Sequence, residues 1–125
     1  MGKAFRMSTH RLVQFHPPQI TDFIIAEIVT KIVNNFDPDK IILFGSQVWG
    51  HAKEWSDLDL LIIMNFTGYS SQIAAKISMI AKPQFVPIDI LVRTPKEIER
   101  RISIGDYFIR RILTEGKILY ERRTC

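Results

Sequence analysis

Two aspartates, Asp57 and Asp59, stand two residues apart at the head of a stretch that is otherwise leucine and isoleucine, Leu58 to Ile63. Side chains alternate faces along an extended chain, so this spacing predicts both carboxylates on one face of a strand. Like charges held that close on a core strand are costly unless something positive lies between them. Mg²⁺ is the simplest such group, because it takes hard oxygen ligands and is commonly held by one or two carboxylates together with waters and substrate phosphates. A third acid, Asp89, is the lone carboxylate in the run Val86 to Val92. If its strand lies beside the first, the three acids can bind two metal ions roughly 4 Å apart, the arrangement that stabilises both oxygens of an in-line phosphoryl displacement. Asp89 would then also be placed to activate the attacking hydroxyl. Taken alone, Asp89 has a second reading, a carboxylate at a strand mouth paired with an arginine of the C-terminal segment.

Gly45 and Ser46 follow an apolar run, Ile41 to Phe44, and ten residues separate them from Asp57. A glycine there lets the backbone come close to a ligand, exposed amides at the start of a following helix face an anion, and Ser46 adds a hydroxyl donor. Gly-Ser alone is also a plain turn at many strand ends; its weight comes from the aspartate pair downstream. Trp49 reads equally as a platform for a base and as a core or partner-facing aromatic. His51, in the loop between the two halves of the pattern, is a solvated residue before it is a proton shuttle.

The elements that must carry these groups are legible from periodicity and capping. Beyond a polar leader, residues 1–18, Thr21 or Asp22 caps a helix with Ile25, Ile28, Val29, Ile32 and Phe36 at helical spacing, ended by Asp37 and Pro38. Lys40 to Phe44, Leu58 to Met64 and Phe85 to Val92 read as strands, with Pro87 marking an edge or a bulge. Between the second and third strands, Ser70 or Ser71 opens a helix with Ile73, Ile77 and Ile80 on one face, stopped by Lys82 and Pro83. Thr94, Pro95 and Glu97 form a capping box with proline at the first helical position. That helix breaks near Gly105, another runs from Asp106 to Glu115, Gly116 caps it, and Lys117 to Glu121 is extended. The expected architecture is a mixed α/β layer structure forming one domain over residues 1–125.

Composition narrows the class. The 125 residues are 46% hydrophobic and 24% charged, the balance of a globular protein with a core. The longest apolar run, Leu60 to Met64, is far short of the roughly 20 residues a membrane span needs. No signal-peptide core or lipidation pattern is present, and the one cysteine, Cys125, suits a reducing, cytoplasmic setting. The net charge of +4 arises wholly after residue 92, where nine Lys or Arg face five acids. An anionic partner explains that excess, and so does a solvated helix face.

An apolar strand, Gly-Ser, about ten residues and then Ser56-Asp57-Leu58-Asp59-Leu60 resembles the nucleotidyltransferase superfamily with the DNA polymerase β-like fold, and in particular its minimal members. The resemblance runs from the leading helix through Asp89 to the closing Ile112, Leu113, Glu115, Gly116, Ile118, Leu119 and Tyr120. It implies that Gly45 and Ser46 hold nucleotide phosphates, that Asp57 and Asp59 ligate Mg²⁺, and that Asp89 completes the site as ligand or base. It implies transfer of a nucleoside monophosphate, AMP from ATP, to a hydroxyl, with two Mg²⁺ ions. Small stand-alone members are often antitoxins paired with an all-helical HEPN toxin, on which they can attach AMP to a tyrosine. Many relatives read Gly-Ser-Arg-Ala-Arg-Gly where this chain has Gln47 and Trp49 in the arginine positions, so positive charge for a triphosphate must come from elsewhere, Lys53 or the C-terminal arginines. A module that neutralises its partner by contact alone is the competing reading, and the sequence leaves nucleic acid and a homo-oligomer open. A small-molecule transferase would need a second domain, for which this length leaves no room.

Overall fold

A computed structural model of the chain describes residues 20–50 and 57–123. The first helix, α1 (Asp22–Phe36), starts where Thr21 turns its hydroxyl to accept the Ile24 amide at 3.2 Å, and ends at Asp37, whose left-handed φ of 48° stops the spiral. Strand β1 (Lys40–Phe44) follows, then a single helical turn, α2 (Ser46–Trp49), and strand β2 (Leu58–Ile63). Helix α3 (Ser70–Ala81) crosses over to strand β3 (Ile88–Arg93), as a parallel neighbour requires. Helices α4 (Pro95–Ser103) and α5 (Tyr107–Glu115) then lead into strand β4 (Lys117–Glu121). The capping box forms as its residues predict: Thr94 Oγ1 accepts the Glu97 amide at 3.1 Å while Glu97 Oε1 accepts the Thr94 amide at 2.9 Å.

The four strands form one mixed sheet in the order β3-β2-β1-β4, with β2 and β3 parallel and the other pairs antiparallel. Alternation along the strands divides the core into two faces. On one, Ile41, Leu43, Leu58, Leu60, Ile62 and Val92 pack under Ile28 and Ile32 of α1 and Ile77 and Ala81 of α3. On the other, Ile42, Phe44, Leu61 and Ile63 meet Ile98 of α4 and Ile109 and Ile112 of α5. Strand β2 is therefore covered on both sides, and each fully buried Ile or Leu there stabilises the fold by about 1.5–3 kcal/mol over an exposed one. This is the α/β layer structure expected from the order of elements.

Two local expectations are corrected. The third strand begins at Ile88 rather than Phe85: Phe85 is left-handed at φ 67°, the Val86 amide closes a turn onto Pro83, and Pro87 has no N–H to give a ladder. Pro87 instead accepts, taking the Leu58 amide on its carbonyl at 2.9 Å and so fixing where β2 and β3 start together. The second strand ends at Ile63, and Asp57 stands one residue ahead of it rather than within it. Gly116 caps α5 as expected, its N–H bonding the Ile112 carbonyl at 2.9 Å, in an extended conformation, φ −73° and ψ 163°; its lack of a side chain serves packing, since a Cβ would lie 2.4 Å from the Ile112 carbonyl and 2.6 Å from Ile42 Cγ2. The polar leader, and His51, Lys53, Trp55 and Cys125, lie outside the described residues.

Candidate active site

Parallel pairing of β2 with β3 puts Asp59 directly opposite Asp89. Asp59 shares its sheet face with Leu61 and Ile63, the face that α4 and α5 cover further along, while Asp57 precedes the same strand. The adjacency that the sequence left conditional is thus met. Asp59 is partly buried and Asp57 and Asp89 are exposed, so the group opens to solvent at the start of the two parallel strands. Burial pushes the Asp59 carboxyl above its ordinary value of 3.8, and the charges of Asp89 and then Asp57 push it further. No ion pair joins Asp89 to an arginine among the described residues.

Gly45 closes the other side. Antiparallel pairing sets Phe44 against Asp59, and the chain leaves β1 at Gly45 with φ 80° and ψ −155°, a region essentially reserved for glycine. A Cβ on Gly45 would stand 2.2 Å from Asp59 Oδ2, so the missing side chain is the space the carboxylate fills. From sequence, this glycine is expected to admit a ligand; the structure gives it a prior task, admitting a side chain of the protein itself. Ser46 then begins α2, in which the Val48 and Trp49 amides bond back to the Gly45 carbonyl at 3.0 and 2.9 Å. The first amides of any helical turn lack intrahelical acceptors, and here they follow directly on the residue that touches Asp59.

Trp49 resolves toward packing. Its ring lies 6.3 Å from that of Phe44, joins the core face under α5, and carries the Arg111 guanidinium 3.7 Å from its centroid. Its Nε1 is buried without an acceptor among the described residues. Phe108, one turn before Arg111 on α5, meets Phe44 edge to face at 5.7 Å. In the sequence Arg111 is one residue of a basic segment, and only the docking of α5 brings it to Trp49. Of the other C-terminal arginines, Arg101 pairs with Asp106 at 3.5 Å and Arg122 with Asp37 and Asp39 at 3.1 Å each, the latter at the far end of the sheet.

The donor set of Asp57, Asp59 and Asp89 is carboxylate oxygen throughout, which suits a hard cation. Among the described residues no three His, Cys, Asp or Glu side chains, these aspartates included, are grouped so as to hold a metal ion by themselves. Mg²⁺ asks for less, one or two carboxylates with waters and substrate phosphate oxygens filling the remainder, so these residues fit it. No described helix is long and apolar enough to cross a membrane.

Comparison with known proteins points the same way. The fold is similar to that of a Sulfolobus solfataricus protein assigned as a nucleotidyltransferase, at 17% identity over 80% of this chain and 79% of that one, with a TM-score of 0.55. It is similar also to a toxin-antitoxin structure with AMP-PNP, at 20% identity over 78% and 73% of the two chains with a TM-score of 0.53. A third, the toxin-antitoxin MntA-HepT, aligns at 17% identity over 82% and 74% with a TM-score of 0.50. At these identities the likeness is one of fold. No curated protein sequence matches the chain. Residues 26–124, spanning the Gly45–Asp59 contact and the Asp59–Asp89 pair, match the model of the family described as polymerase beta, nucleotidyltransferase. The chain belongs to the polymerase beta nucleotidyltransferase family.

Proposed function

We propose that this protein is a Mg²⁺-dependent nucleotidyltransferase that moves AMP from ATP to a hydroxyl on a partner protein, as the antitoxin of a pair with a HEPN-type toxin. The observation that carries the chemistry is the register of Asp59 against Asp89, with Asp57 at the strand entry and Gly45 against Asp59. Two of the similar structures are toxin-antitoxin assemblies, one of them with an ATP analogue, and they supply the class of partner.

In this reading the acceptor oxygen attacks the α-phosphorus of ATP. A new P–O bond forms, the bond from the α-phosphorus to the oxygen bridging to the β-phosphate breaks, and pyrophosphate leaves. Asp89, exposed beside Asp59, takes the hydroxyl proton. Asp57 and Asp59 would hold Mg²⁺, which would supply charge neutralisation of the phosphates and of the leaving oxygen. Gly45 and the α2 amides that follow bind phosphate oxygens, with the Ser46 hydroxyl as a further donor. Residues 1–125 act as one domain, and the acceptor comes from outside it.

A contact-only module is the second reading, favoured by the exposed Ile104, Tyr107 and Phe108 between arginines at the α4–α5 corner, a composition typical of protein interfaces. Intact-mass spectrometry separates the two. The protein is incubated with the product of its neighbouring gene, Mg²⁺ and each nucleoside triphosphate, with Asp57→Asn as control. A nucleoside monophosphate adduct on the partner, absent with the control, is expected. A stable complex with no adduct would leave the contact-only module.

A further inference from the structure

The three carboxylates place negative charge where a triphosphate, itself an anion, has to lie. Mg²⁺ would offset part of that charge, and a fixed cation on the same face of the sheet would add to it, but the Gly45–Gly50 segment contains none. What that segment has is Trp49, and on Trp49 lies Arg111. The contacts form a short chain. Asp59 is opposite Phe44, Gly45 follows Phe44 and touches Asp59, the Trp49 amide bonds the Gly45 carbonyl at 2.9 Å, and the Trp49 ring holds the guanidinium at 3.7 Å. Phe108 on Phe44 fixes the same helix one turn earlier, so α5 is pinned along this segment at two points.

We propose that Arg111, stacked on Trp49, is a phosphate-binding residue that grips the polyphosphate tail of the nucleoside triphosphate from α5. The inference rests on the nucleotidyltransferase reading and adds to it a ligand contact from a different element. Stacking uses the face of the guanidinium and leaves its N–H edges available, which is how an arginine serves an aromatic ring and an anion together. Glu115 accepts from Nε at 3.2 Å, and no hydrogen bond joins either Nη to a described residue. The side chain is half exposed, at 49%. A planar fork so oriented suits two phosphate oxygens at once. Among the other described cations, Arg101 pairs with Asp106, Lys40 with Glu121 and Arg122 with Asp37 and Asp39, and Arg93 bonds the Val92 carbonyl at the opposite end of β3. Lys117 starts the edge strand β4 opposite Leu43, at the carboxylate end of β1 but two strands from β2.

Calorimetric binding of Mg·ATP, inorganic tripolyphosphate and adenosine to the whole chain tests this, with melting temperatures measured in parallel. Arg111→Gln removes the charge and the guanidinium fork while leaving a shorter polar side chain. It should weaken Mg·ATP and tripolyphosphate about tenfold to a hundredfold, the scale for hydrogen bonds to a charged group, with adenosine unaffected. Lys117→Gln removes a cation at the same end of the sheet and should weaken binding less, through general electrostatics only. Arg111→Lys should fall between wild type and Arg111→Gln, and it serves as the test should Arg111→Gln fail to fold. Wild-type affinity for tripolyphosphate in Arg111→Gln, or in Arg111→Lys should Arg111→Gln fail to fold, overturns the proposal, as does a loss in Lys117→Gln equal to that in the Arg111 variant; either leaves the transferase reading standing. If the wild type binds neither Mg·ATP nor tripolyphosphate, the transferase reading falls and this inference with it.

Discussion

Gly45 and Asp59 occupy one another's space: Oδ2 of Asp59 lies 2.2 Å from where a Cβ on Gly45 would be. Two strands meet at that point, β1 ending and β2 beginning, and the absent side chain on one lets the other turn its carboxylate inward beside Asp89. The pair sets the site before any ligand arrives.

Substitution Gly45→Ala should therefore do two things. Strain at φ 80° and ψ −155° is worth about 1–3 kcal/mol for a residue with a Cβ, and the Asp59 carboxylate must also move. A double-mutant cycle measured by urea unfolding separates the parts: in an Asp59→Ala background the clash term should vanish and the strain term remain. Equal losses in both backgrounds would mean that the contact contributes nothing.

Asp59→Asn and Asp57→Asn should abolish AMP transfer while the protein stays folded, because each removes one of several crowded charges. Asp89→Asn, lacking the proton acceptor, should lower turnover by about 10²–10⁴. Pyrophosphate release with circular dichroism on the same samples checks both. A folded Asp59→Asn protein retaining wild-type turnover would remove the carboxylates from the mechanism.

The raised pKa of Asp59 gives a stability profile of definite sign. Folded protein keeps the Asp59 proton to higher pH than the unfolded chain, so between the two pKa values the folded state binds more protons and stability falls as pH rises. With chelator present, Asp59→Asn should melt above wild type at neutral pH. The gap should shrink as pH is lowered and close below about pH 4, where the unfolded chain is protonated too. Added Mg²⁺ should raise the wild-type melting temperature and leave that of Asp59→Asn nearly unchanged, since only binding to the folded state stabilises.

Gly116→Ala tests a glycine kept for packing. The new methyl would meet the Ile112 carbonyl at 2.4 Å and Ile42 Cγ2 at 2.6 Å, so α5 must shift away from β1. A loss of about 1–3 kcal/mol in denaturant unfolding is expected, the usual scale for overpacking. Because α5 carries Arg111, Mg·ATP affinity should fall in the same variant.

Much of this was legible in the sequence because local rules govern it. Thr21, the Thr94–Glu97 box and Asp106 cap helices through contacts two or three residues away, and apolar periodicity marks every core strand. The Asp57–Leu58–Asp59 spacing and Gly45-Ser46 likewise carried the family and marked the candidate site residues. Local rules stopped short at Phe85 to Pro87, apolar enough for a strand but lost to a left-handed residue and a proline without an N–H. They also marked Gly116 as the cap of α5, while its close packing against Ile42 is a tertiary contact that no local rule shows. Tertiary structure alone decided that Asp89 faces Asp59, since strand order depends on the α3 crossover and not on either strand's own residues. It alone decided that Trp49 lies beneath Arg111, 62 positions on in the chain, because helix docking brings together residues that no spacing rule relates.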